Sequence, residues 1–222
     1  MPIDSPARSQ SVDALPSFDR EAMRTAVADF LDAAGLAEDA AGEAPDNTVA
    51  AWINDLLSGY STDPGSVLEP TWPERAGDII TSTSIPFVSV CAHHLLPFFG
   101  HAHVAYLPDK RLTGLSRIEE LVRCLSRRLQ MQERLGEEIA EELMSGVGAL
   151  GAACVLEAEH LCVFARGRRQ RGSVTRTAAF VGSLATNERL QDHCLTWLRP
   201  TSPAGRDQHE PRAAAPSGSR DG

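Results

Sequence analysis

The stretch VCAHHLLPFFGHAHVAYLP, residues 90–108, decides the fold. It opens at the end of an apolar run over residues 85–90, passes through a Cys/His cluster, and leaves through Pro97 and Gly100 into a second run over residues 102–107. Short apolar or alternating runs bounded by Pro or Gly are strand signals, so the segment predicts an antiparallel hairpin turning around residues 97–100. Downstream the period changes. Leu121, Val122, Leu125 and Leu129, then Leu135, Ile139, Leu143 and Val147 with Glu-rich positions between them, recur at helical spacing up to the glycines near 146–151. They predict two amphipathic helices joined near residues 129–132. Residues 152–165 and 174–181 again read as strands, separated by the basic turn RGRRQRG, and residues 187–198 make a last helix capped near Asn187. Upstream, Phe18, Met23, Ala26, Val27, Phe30 and Leu31 follow a Ser17 N-cap, and Val49, Trp52, Ile53, Leu56 and Leu57 precede Gly59, which gives two N-terminal helices. The order predicts an α+β fold: an antiparallel four-stranded sheet with two long helices on one face, preceded by N-terminal helices.

Composition narrows the function classes. The chain has 222 residues, 42% hydrophobic and 23% charged, which suits one globular domain with appendages. Residues 1–16 and 200–222 lack hydrophobic clusters and read as disordered tails. A net charge of −9 makes nucleic acid an unfavourable partner. No apolar stretch approaches the roughly 20 residues that span a bilayer, and the first residues hold no signal-peptide core, so the expectation is a soluble, cytoplasmic protein without membrane contact. Five cysteines at scattered spacing fit reduced thiols better than a disulfide framework.

The chemistry concentrates in two places. Cys91 and His94 are three apart with His93 between them, so a tight turn can aim a thiolate and an imidazole at one point. In EAEHLCVFARG, His160 and Cys162 are two apart, which puts them on one face of the predicted strand. Cys91, His94 and Cys162 with a fourth position left for water have the composition of a catalytic zinc site. Cys124, Cys154 and Cys194 lie in apolar contexts and read as core.

CAHHLLPFFGHAHVAYLP, then GLSRIEELVRCLSRRLQMQERL, then EAEHLCVFARG and SVTRTAAFVG, together resemble the GTP cyclohydrolase I family in order, spacing and residue type over about residues 75–200. APDNTVAAWINDLLSGY extends the resemblance more weakly into the helix before. The resemblance implies a tunnelling fold assembled by sheet edges into a toroidal homo-oligomer, a decamer in that family, with sites between subunits. It divides the chain into a helical region at 17–74 and a catalytic domain at 75–199. It further implies Zn2+ held by Cys91, His94 and Cys162, acid/base roles for His93 and His160, and proton movement at the sugar by Ser116. Gln132 and Glu133 match the guanine-reading pair, and Arg117 and Arg166 match phosphate-binding cations. The reaction implied is hydrolysis of the guanine imidazole ring of GTP, releasing formate and giving 7,8-dihydroneopterin triphosphate. Ser116 has a second reading from local chemistry alone, as the N-cap of a capping box completed by Glu119.

The pattern departs from the family at three positions. Glu120 and Asn47 stand where arginines are usual, and Ala92 replaces the glutamate of CEHH. Three explanations follow: Arg166, Arg168, Arg169 and Arg171 re-supply the charge; the substrate is a guanine nucleotide with altered phosphate recognition in a specialised pathway; or the chain is a zinc-binding paralogue without turnover.

Overall fold

The computed structural model describes residues 17–73, 77–165 and 173–198. Both expected tails and the basic turn 166–172, with Arg166, lie outside the described residues.

Two helices come first, α1 (Arg20–Ala34) and α2 (Ala44–Ala51). The N-cap of α1 is Asp19 rather than Ser17, because the Asp19 carboxylate accepts from the Ala22 N–H at 3.0 Å. The second apolar pattern does not make one continuous helix: α2 passes into a wider turn at Trp52–Leu56 and a tighter one at Ser58–Ser61. Gly59 lies in the tighter turn, packed against the end of the next long helix. Its backbone lies so close to the carbonyls of Cys124 and Arg127 that a side chain has no room there. A short α3 (Pro64–Val67) and strand β1 (Thr71–Pro73) lead to the sheet.

The sheet is built from β2 (Ile80–Cys91), β3 (Pro97–Leu107), β6 (Gly151–His160) and β7 (Thr175–Gly182), each antiparallel to the next, as the sequence predicts. A two-residue strand β5 (Leu129–Gln130) adds a fifth member, parallel to the end of β2, and gives the order β5-β2-β3-β6-β7. β4 (Arg111–Thr113) pairs separately with β1. The hairpin turn falls at residues 92–96 and not at 97–100, since Pro97, Phe98, Phe99 and Gly100 all have partners on β2. Proline has no N–H to give a ladder and is accommodated as the first residue of a strand. Gly100 marks a close approach instead: a Cβ there would run into the Glu157 carbonyl and the Ala158 Cα of β6.

The two long helices are α4 (Leu115–Ser126) and α5 (Gln132–Val147). Their buried stripes, Ile118, Leu121, Val122 and Leu125 on one and Leu135, Ile139, Leu143 and Val147 on the other, follow the i, i+3, i+4 spacing of a helix face. Both stripes pack onto Phe87, Phe98, Ala102, Val104, Tyr106, Cys154 and Leu156 on one face of the sheet. Gly148, with φ +70, ends α5 in the left-handed conformation that glycine adopts freely. A single turn α6 (Leu161–Phe164) follows β6, and α7 (Ser183–Thr186) and α8 (Glu188–Trp197) follow β7. Asn187 caps α8 as expected, accepting from the Leu190 N–H at 3.2 Å. This last helix crosses to the opposite face of the sheet, where Leu184, Cys194 and Leu198 cover Ala105, Ala153 and Val155. Cys124, Cys154 and Cys194 are buried, and burial pushes each thiol upward, Cys194 to about 11. No described helix is long and apolar enough to cross a membrane.

Candidate metal centre and active site

Cys91 ends β2 with its side chain buried among the helix-facing residues. The chain then folds back at once: the Cys91 N–H donates to Leu96 O at 2.9 Å, and the Leu95 N–H donates to Cys91 O at 2.8 Å. Closing so short a turn puts Leu95 at φ +55, a strained value for a bulky side chain. The Ala92 N–H donates to Gln130 O at 2.9 Å and ties the turn to β5. The result brings the His94 Nδ1 to 3.8 Å from the Cys91 Sγ.

Cys162 arrives from a separate stretch. It does not share a strand face with His160, because β3 begins at Pro97 and the β3–β6 ladder therefore ends at the Phe98/His160 pair. Beyond that last partner the chain coils into α6, and the helical turn carries Cys162 inward. Ligand atoms of Cys91, His94 and Cys162 all lie within 4.8 Å of one another. Tetrahedral zinc with sulfur at ~2.3 Å and nitrogen at ~2.0 Å spaces its donors about 3.5–3.8 Å apart. The Cys91–His94 distance of 3.8 Å falls at the upper end of that spacing and the rest of the set lies within 4.8 Å, so two sulfurs and one imidazole can hold a metal ion there.

His160 sits beside this cluster as the last residue of β6. Its ring stacks on Phe98 with centroids 4.8 Å apart and planes 1° from parallel. Its Nε2 is 2.7 Å from the Oε1 of Gln132, the first residue of α5. Gln132 is buried, and its amide NH2 donates to Leu156 O at 3.1 Å and Thr175 O at 3.0 Å. His93 is exposed on the turn, its ring centroid 6.2 Å from that of His94. Glu133 follows Gln132 with its side chain exposed. Phe98 and the positioning contact of Gln132 escape a motif search, although the Phe98/His160 pairing follows once the strand register is known.

Ser116 and Arg117 lie elsewhere. Ser116 is not the cap of α4: Gly114, extended at φ −68 and ψ 145, takes that place, and its carbonyl accepts from the Arg117 N–H at 2.9 Å. Ser116 is the second helical residue and is exposed. Residues 128–130, just past the far end of α4, are the ones that touch residues 89–92. Ser116 is thus roughly 15 Å up the helix from that end, at 1.5 Å per residue. Arg117 donates to Glu120 at 2.7 Å, and Glu120 also meets Arg123 at 3.5 Å. Asn47 is exposed on α2, and Arg166 is outside the described residues.

Comparison with known proteins matches residues 23–199 to the GTP cyclohydrolase I family. GTP cyclohydrolase 1 of Caldanaerobacter subterraneus subsp. tengcongensis is 44% identical over 82% of this chain and 97% of its own. The Corynebacterium glutamicum (strain R) enzyme of the same name is 40% identical over 84% and 96%, and that of Campylobacter lari 46% over 64% and 76%. A solved archaeosine synthase QueF-Like in its apo form aligns at TM-score 0.39 with 13% identity, covering 49% of this chain and 98% of that one. On the extent of the family match and the identity to these enzymes over nearly their full length, the chain belongs to the GTP cyclohydrolase I family.

Proposed function

We propose that this chain hydrolyses the guanine imidazole ring of GTP, releasing C8 as formate and giving 7,8-dihydroneopterin triphosphate, with Zn2+ as its metal and the cytoplasm as its compartment. The observation that carries the reading is the convergence of Cys91, His94 and Cys162 from two distant stretches, in a chain of this family. Zinc in such a set supplies a Lewis acid that lowers the pKa of a bound water toward neutrality. Purine C8 is a poor electrophile until N7 is protonated, so an acid must stand close to the cluster. His160, at the end of β6 two residues before Cys162, and His93, one residue before His94, occupy such places. Of the expected guanine-reading pair, Glu133 presents an exposed carboxylate that can accept from N1–H and the 2-amino group, whereas Gln132 has its amide committed within the protein. Once substrate and a neighbouring copy cover it, as this reading requires, a base unable to supply those donors would leave the carboxylate unpaired, which favours guanine over adenine.

The working unit in this reading is a ring-shaped homo-oligomer, a decamer, around the catalytic region 75–199. Ser116 and Arg117 support it, since they stand roughly 15 Å along α4 from the end that touches their own chain's cluster, as residues serving a site on another copy would. Arg166 completes the phosphate contacts in this proposal.

One observation favours a variant of this reading in which phosphate recognition is altered. Glu120 already pairs with Arg117 and Arg123, so part of the cationic charge expected for a triphosphate is neutralised within α4. Purified protein incubated with GTP, GDP, GMP and guanosine tests both. The expected result is formate and a dihydropterin ultraviolet spectrum from GTP, with about one zinc per chain. No formate from any of the four overturns the enzyme reading and leaves a zinc-binding paralogue. Glu120→Arg is expected to lower the KM for GTP by about two- to fivefold, the scale of a partly exposed ion pair; an unchanged KM removes Glu120 from phosphate recognition.

A further inference from the structure

We infer that Gln132 is a positioning residue that selects one orientation and one tautomer of the His160 imidazole, and that it does not read the substrate base. The inference rests on the ring-opening reaction proposed above. It follows from an inventory of donors and acceptors. A glutamine amide offers two N–H donors and one oxygen that only accepts. Leu156 O and Thr175 O, at 3.1 and 3.0 Å, both require donors, so the NH2 must face them. That leaves Oε1 on the His160 Nε2 at 2.7 Å. An amide oxygen has no proton to give, so Nε2 carries one, and in the neutral ring the lone pair is confined to Nδ1.

Two constraints of different kind therefore act on one ring. The parallel stack on Phe98, which is fully buried, fixes the plane of the imidazole. A stack alone does not distinguish the ring from its image turned over by half a turn about the Cβ–Cγ bond, which keeps the plane and exchanges Nε2 with Cε1. Gln132 makes the distinction, because the rotated ring would set a C–H against Oε1 and lose the hydrogen bond. Gln132 cannot turn outward to a substrate without abandoning two carbonyls in a region where it is itself 2% exposed. Its place as the first residue of α5, behind the extended Met131, aims it at the sheet, while Glu133 faces away from the core.

A double-mutant cycle tests this on the full chain. Gln132→Leu is expected to lower kcat by about tenfold or more, while the KM for GTP stays within about twofold and the preference for GTP over inosine triphosphate is kept. In a His160→Ala background the same substitution is expected to cost less than about twofold in kcat, because its effect passes through the missing ring. A raised KM with kcat intact, or a lost preference against inosine triphosphate, overturns the inference in favour of base reading. An equal cost in both backgrounds overturns it in favour of a purely structural role. A second arm needs no turnover: solid-state NMR of protein labelled with 15N-histidine, with the His160 signal assigned by its absence in His160→Ala. The Nε2–H tautomer is expected in the parent protein and displaced in Gln132→Leu; an Nε2 without its proton in the parent, or a signal unmoved by the substitution, overturns the inference. If the parent releases no formate, the reaction reading fails by itself and the NMR arm still decides the placement of the ring.

Discussion

His103 lies in the middle of β3, 1% exposed, on the sheet face away from α4 and α5. Its Nδ1 accepts from the Ser84 N–H at 3.3 Å, and its Nε2 is buried with no hydrogen-bond partner among the described residues. Burial holds its pKa below the usual histidine value; the charge of Glu157 opposes this, and His101 and Arg176 add to it. Between that lowered folded value and about 6.5 the unfolded chain carries the extra proton. The ring therefore leaves stability untouched above about pH 6.5 and subtracts from it as pH falls below. His103→Gln is expected to flatten the fall of the urea midpoint between pH 7.5 and 5.5 relative to the parent. Parallel curves for the two proteins would assign that fall to other groups. Nothing in the alternation of β3 singles out His103; the local break in register that places Ser84, at φ +60, against it exists only in the paired strands.

Between elements, β3 and β6 pair so closely at Gly100 that a side chain there would meet the β6 backbone. Gly100→Ala is expected to force the strands apart beside Ala158, two residues from His160, and to cost about 1–3 kcal/mol, read from urea denaturation at fixed protein concentration. Ile139, fully buried between α5 and the sheet, is expected to cost about 2–5 kcal/mol as Ile139→Ala by the same measurement. The helices α4 and α5 were legible in the sequence because their apolar stripes run for several turns and a glycine ends the second. The hairpin turn was not, since Pro97 and Gly100 punctuate a sequence whether they make a turn, start a strand or allow a close approach. Cys162 was placed on the wrong kind of element for a related reason. LCVF continues an apolar run, but Pro97, which would face Leu161, has no N–H to extend the ladder past the Phe98/His160 pair. Cys91 and His94 were legible because the turn that joins them spans three residues, whereas Ser116 stands exposed on α4, roughly 15 Å from the helix end that touches the cluster.

At the scale of the whole molecule, the proposed sharing of sites between copies can be measured by mixing. Ser116→Ala and Cys162→Ser chains, each of low activity alone, are expected to recover up to about a quarter of parental formate release when co-expressed, if each site draws its thiolates and its serine from different copies. No recovery would place both in one chain. The sheet bears on the same point, since β5 covers only Val90 and Cys91, leaving the outer side of β2 from Ile80 to Ser89 without a partner among the described residues. β7 is the other outermost strand. Among the described residues, each solitary chain thus carries two strand edges whose amides and carbonyls are left to water unless another strand pairs with them. If further copies close those edges, as proposed, diluting the protein is expected to lower the temperature at which it unfolds, because mass action withdraws the neighbouring strand.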